Sequence, residues 1–173
     1  MDAISITQPT GHFDTDSGLW MLTEPWSVLT RFGKLHIKPG YKSDGASVPR
    51  IFWIALGPRF DSPTFPCSFG HDAFCDSALV KRSDADEVFL DHLLIMGPKA
   101  IQYKTPADKC RWYTRTMDSL RTVRSFEAEK AWKAKAYIYY GGVRAWGEIA
   151  SRRLKQSRID AARQFISLNE DFT

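Results

Sequence analysis

The stretch FPCSFGHDAFCDS, Phe65 to Ser77, sets a His-Asp pair inside an apolar pattern. Taken as a helix, Cys67, His71, Phe74, Cys75 and Ala78 recur at steps of four, three, one and three, which is the stripe a helix buries. The spacing turns the imidazole inward with the apolar residues and leaves Asp72 at the stripe's edge. A buried His beside a carboxylate is either a satisfied core group or catalytic machinery, and on spacing alone the satisfied core group is the commoner case.

Downstream, a second helix is expected from Ser83, with Ala85, Val88, Phe89, Leu93 and Met96 as its apolar stripe and His92 within it. Gly97-Pro98 is expected to end it. A third helix is expected over Pro106 to about Val123, and a fourth from about Phe126 onward, with YYGG near Tyr140 as a weak point. The pattern leaves open whether RAWGEIASRRLKQSRIDAARQF continues that helix as one rod or two pieces. Upstream, RIFWIAL reads as a short helical segment ending at Gly57-Pro58. LWMLTEPWSVLTRFGKLHIK, Leu19 to Lys38, reads as two or three short strands, with Pro25 keeping its stretch off a central position. Pro39, Gly40, Asp44 and Gly45 mark a loop, and residues 1–18 are polar and turn-rich. The expected architecture is therefore one α+β domain: an arm over 1–18, a β-rich part with the Asp-Gly loop over 19–50, and a helical part over 51–173. A small N-terminal antiparallel sheet would pack on a helical bundle with a central antiparallel helix pair.

Bulk properties set the limits. The chain has 173 residues, 43% of them hydrophobic and 13% aromatic, which suits one globular domain with a real core and not a disordered chain. A net charge of +4 permits contact with an anionic surface but does not indicate nucleic-acid binding. Cys67, Cys75 and Cys110 are odd in number and make no disulfide framework, so folding in a reducing cytosol is expected. The N-terminus lacks the basic start and apolar run of a signal peptide, and no apolar run approaches the roughly 20 residues of a membrane helix.

Four positions could carry chemistry: Asp44 in the glycine loop, His71 and Asp72 on the first long helix, and Asp86 on the second. A His held near two carboxylates can act as a general base, because a carboxylate orients the ring and stabilises the imidazolium. The second carboxylate can hold a hard cation, and backbone carbonyls of a glycine loop suit Ca²⁺. Hydrolysis by an activated water is the reaction class this suggests. Geometry sets a condition on it. If the two helices pack antiparallel, His71 lies level with Asp86 only when the first helix ends near Asp76-Ser77; a helix running on to Val80 would put Leu90 or Asp91 there instead. Plainer readings compete. Ser83-Asp84-Ala85-Asp86 resembles a capping box, and Asp44 could brace a turn.

Four segments, GYKSDGASVPRIFW, GHDAFCDS, RSDADEVFLDHLL and YYGGVRAWG, resemble in order and spacing the motifs of Domain of Unknown Function 1353, a family of tailed phages and prophages. The resemblance runs from about Leu19 to Gly147. One departure is Phe74, where that family usually has an aromatic, often a Tyr whose hydroxyl is lost here. The same motifs are distantly similar to bacterial phospholipase A-two. That similarity implies that Asp44-Gly45 begin a calcium loop, that His71 activates water, that Asp72 binds Ca²⁺ and that Asp86 orients the His. Cys67 and Cys75 fall near cysteines of that enzyme family without an evident partner. The resemblances imply two functions: a phage-encoded metal-dependent hydrolase directed at lipid or ester, or a non-catalytic virion or accessory protein such as a tail component. Other phage structural proteins are the expected partners. The host cytoplasm is the expected location after synthesis, with incorporation in the virion as the alternative.

The C-terminal third carries Arg144, Arg152, Arg153, Lys155, Arg158 and Arg163 among many aromatics. A solvated helix face is the plain reading. Contact with nucleic acid, anionic lipid or an acidic neighbour is the functional one, although no nucleic-acid motif accompanies these residues.

Overall fold

A computed structural model describes residues 6–45, 64–103, 118–151 and 156–169. In chain order they form β1 (Gly11–Asp14), β2 (Leu19–Leu22), β3 (Trp26–Thr30), β4 (Gly33–Ile37), β5 (Lys42–Ser43), α1 (Phe65–Ser77), α2 (Arg82–Tyr103), α3 (Asp118–Ser151), α4 (Gln156–Arg163) and β6 (Ile166–Asn169). The fold class is α+β, with two antiparallel three-stranded sheets ordered β1-β2-β5 and β3-β4-β6. The region read as two or three strands supplies three. Pro25 precedes β3, which lies at a sheet edge where its missing N–H costs no ladder bond.

Two strands come from stretches read otherwise. β1 lies in the stretch read as an arm and pairs with β2 from Gly11↔Leu22 to Asp14↔Leu19. β6 lies in the helical part and makes β4 the centre of its sheet, with Ile37 opposite Ile166. Both are four-residue strands. A two-residue alternation in so short a segment is hard to see, and each strand exists because a longer partner offers it a ladder.

α1 joins the sheets. Trp20 of β2, Trp26 of β3, Tyr41 and Phe65 all set their rings within 6 Å of Phe69, most of them edge-on. Phe69, Cys67, Ala73 and Phe74 have no exposed surface. Burying a side chain of Phe69's size contributes about 1.5–3 kcal/mol, so the apolar stripe is what clamps α1 between the sheets and α2.

α2 does not stop at Gly97-Pro98; it continues to Tyr103. The reason is packing by α3. A Cβ on Gly97 would lie 2.5 Å from Trp132 Cδ1, and the Trp132 indole donates to the Leu93 carbonyl at 2.7 Å. The glycine here makes room for an indole, and contact with α3 outweighs the proline's helix-breaking tendency. The stripe Ala85, Val88, Phe89, Leu93 and Met96 is buried as its spacing requires. The third and fourth helices expected on either side of residues 124–125 are one continuous α3 from Asp118 onward, since Val123-Arg124-Ser125 contains no helix breaker. α3 also runs through Gly141-Gly142 to Ser151, and its junction with α4, residues 152–155, lies outside the described residues. The segment RIFWIAL and residues 104–117 lie outside the described residues.

Candidate active site

Ala78 sets the site's geometry. It adopts a left-handed conformation, φ 49° and ψ 37°, and its N–H caps Phe74. That stops α1 at Ser77, and the connection 78–81 returns the chain into α2. The condition on helix length is thereby met, and His71 lies level with Asp86: His71 Nε2 is 2.8 Å from Asp86 Oδ1.

Both groups are buried, His71 at 5% and Asp86 at 2% exposure. Phe89 covers one side of the ring, with centroids 5.1 Å apart. Asp86 is not left with an uncompensated charge, which would cost several kcal/mol. Arg82 Nε donates to its Oδ1 at 3.1 Å, and an Arg144 guanidinium nitrogen lies 3.9 Å from Oδ2. The capping-box alternative for Asp86 therefore gives way to a side chain aimed across at α1. Arg82 sits one turn before Asp86, a pairing visible as i,i+4 spacing. Arg144 comes from the distant YYGGVRAWG motif and carried no local signal.

Asp72 lies on the Nδ1 side of the imidazole, and Cys75 lies beside both ring nitrogens. Nδ1 is 3.9 Å from Asp72 Oδ1 and 3.9 Å from Cys75 Sγ, while Sγ is 3.6 Å from Nε2. Burial opposes charge on the ring, but Cys75 and the carboxylates of Asp72 and Asp86 outweigh it and hold the His71 pKa well above its ordinary value.

Asp72 differs from Asp86. Its side chain is 14% exposed, and burial, reinforced by the Asp44 charge, raises its pKa to about 7 against the favourable bonds from His71 and Ser43. Ser43 donates from Oγ to Asp72 Oδ2 at 2.6 Å, and the Gly45 N–H donates to the same Oγ at 3.0 Å. Ser43 thus ties the Asp44-Gly45 loop to α1, and Gly45 takes φ +74°, where a side chain would be strained. Asp44 is half-buried and close enough for its charge to raise both Asp72 and Asp76. Asp44, His71, Asp72 and Asp86, the four positions singled out from the sequence, and Gly45 of the implied calcium loop are therefore gathered around the α1 face that carries His71. Cys75, Ser43, Arg82 and Arg144 are the contacts that sequence reasoning missed.

One turn along α1, Tyr41 donates to Asp76 Oδ2 at 3.1 Å, and Arg158 pairs with Asp76 Oδ1 at 3.0 Å. Arg163 donates from Nε to the Ser77 carbonyl at 2.8 Å. Arg144, Arg158 and Arg163 thus point back onto α1 and α2 and do not form a wholly solvated face. Phe74, in place of the expected tyrosine, is fully buried. Arg152, Arg153 and Lys155 lie outside the described residues.

Among the described residues no group of three or more His, Cys, Asp or Glu side chains is arranged to hold a metal ion, and no helix is long and apolar enough to cross a membrane. Comparison with curated proteins and with solved structures found no match. A family model does match, over residues 20–105. That span takes in the Asp-Gly loop, the His-Asp helix and α2, and it ends before the YYGGVRAWG motif. The matching model is that of the family described as Protein of unknown function (DUF1353), to which residues 20–105 are similar.

Proposed function

We propose that this protein is a phage-encoded hydrolase directed at lipid or ester bonds, with His71 as general base and Asp86 as its positioning partner. The observation that carries this reading is the 2.8 Å contact between His71 Nε2 and Asp86. It fixes the ring and the tautomer and leaves Nδ1 to take a proton from an attacking water. A raised pKa means that the base form of His71 accumulates only as pH rises through it. Activity on this reading increases on the alkaline side.

Ca²⁺ is the proposed cofactor. Asp72 is held short of full ionisation by burial and by Asp44's like charge, a repulsion that a hard cation would relieve. Asp72 and Asp44 offer the oxygen donors Ca²⁺ prefers, with backbone carbonyls of the Asp44-Gly45 loop as further ligands. When bound, the cation would stabilise negative charge developing on a carbonyl oxygen. The similarity to phospholipase A-two supports the same assignment of Asp44, Gly45, Asp72, His71 and Asp86.

The second reading is a non-catalytic virion or accessory protein, such as a tail component, associated with other phage structural proteins. It draws support from the depth of the pair: two nearly inaccessible groups braced by Arg82 and Arg144 could serve stability alone. Calorimetric calcium titration of the wild type and Asp72→Asn tests the choice. Micromolar to millimolar binding lost in the variant supports the metal-dependent hydrolase. No binding by either protein counts against it, and detection of the protein in purified virions would then favour the structural reading.

A further inference from the structure

The water mechanism leaves one nucleophile unused. Cys75 stands one helical turn after His71 and is partly accessible, with Sγ 3.6 Å from Nε2 and 3.9 Å from Nδ1. Cys67, on the same helix, has no exposed surface, and burial pushes its thiol pKa up. α1 therefore carries one inert thiol in the core and one thiol against the only His of the helix. Asp86 holds that His through Nε2, which leaves Nδ1, 3.9 Å from Sγ, as the nitrogen to take the thiol proton. Nucleophile, base and orienting carboxylate in sequence is the arrangement that activates a thiol, and apo distances of this kind shorten when substrate is present.

We propose that Cys75 is the nucleophile of this site, attacking the acyl carbon of an ester through a Cys75-His71-Asp86 constellation and forming a thioester before water completes the hydrolysis. The inference rests on the hydrolase reading of His71 and Asp86 and alters its first step. The Sγ lone pair forms the bond to the acyl carbon while His71 takes the thiol proton. The carbonyl electrons move onto oxygen and return as the bond to the alcohol oxygen breaks, and His71 gives its proton to the departing alkoxide. Water then attacks the thioester. His71 takes its proton and passes it to sulfur, which restores the thiol and releases the carboxylic acid.

The test uses the full chain with a short-chain p-nitrophenyl ester, acid quenching and mass mapping of all three cysteines, in wild type, Cys75→Ala, His71→Gln and Asp86→Asn. Folding of each variant is checked by circular dichroism. The expected result is an acyl adduct on the Cys75 peptide alone and a loss of turnover of about 100-fold or more in Cys75→Ala. Wild-type turnover in Cys75→Ala with none in His71→Gln would overturn the thiol while leaving the hydrolase reading intact. If no protein turns over the ester, iodoacetamide mapping decides whether the thiol is activated at all. Cys75 alkylation faster than in the urea-unfolded chain, with the gain lost in Asp86→Asn, would show an activated thiol yet overturn the ester nucleophile together with the ester-hydrolase reading. Alkylation no faster than in the unfolded chain, or unchanged in Asp86→Asn, would overturn the proposal.

Discussion

At the scale of single residues, His71 and Asp72 are neighbours whose pKa values both rise, with opposite meanings for stability. His71 gains partners for its charged form. The stability it contributes is full below the unfolded value of about 6.5 and is lost as pH rises through the folded value. Asp72 is penalised by burial and by Asp44, with a folded value of about 7. The unfolded chain releases that proton near pH 4, so Asp72 takes stability away between about pH 4 and 7. Asp72→Asn keeps an oxygen for the Ser43 hydroxyl and removes this penalty. The expected result is a gain of at least about 1 kcal/mol at pH 8, each pKa unit being worth about 1.4 kcal/mol, and no gain at pH 4, read by urea denaturation at both values. His71 and Asp86 were legible as candidates because helical spacing fixes which residues share a face. Arg144 was not, because a contact between positions 58 residues apart leaves no local pattern.

At the scale of elements, the hairpin of α1 and α2 depends on where each helix ends. Ala78 is a non-glycine residue in the left-handed region, which costs about 1–2 kcal/mol. Ala78→Gly relieves that cost at the expense of greater freedom in the unfolded chain. A net stabilisation of about 0.5–1 kcal/mol is expected, with the His71-Asp86 pairing and any turnover unchanged. Gly97→Ala acts the other way. The added methyl meets Trp132, so α3 must shift and the indole bond to Leu93 weakens. A loss of about 1–3 kcal/mol is expected, with a change in tryptophan fluorescence as the Trp132 environment opens. The sequence stated the end of α1 only as a condition, Ser77 or Val80, and the left-handed Ala78 that decides it carries no glycine to announce it. The end of α2 was not legible, because Gly97-Pro98 carries a local stop signal that a helix from elsewhere in the chain overrides.

At the scale of the whole molecule, the family match covers residues 20–105, but the described fold closes only with α3, α4 and β6. β6 completes the β4 ladder, Trp132 and Tyr139 of α3 are buried in the common core, and Arg158 and Arg163 fasten α4 to the end of α1. A fragment of residues 20–105 would expose the Leu35 and Ile37 edge and the α3-facing side of α2. It is expected to lack a cooperative thermal transition, which the full chain should show by circular dichroism. The α+β class was legible because turn-rich short strands precede long periodic helices. The pairing of β6 across the chain was not, since a four-residue strand acquires its identity from its partner.

The central claim is that Asp86 holds His71 ready to move a proton during ester cleavage. The most direct measurement is the steady-state hydrolysis rate of wild type and Asp86→Asn across pH, on a water-soluble ester and on phospholipid vesicles with calcium, alongside each protein's melting temperature. The account predicts turnover that rises toward alkaline pH and falls by about 10²–10⁴ in Asp86→Asn while the variant stays folded. Equal rates in the two proteins, or no hydrolysis by a folded wild type, would contradict it.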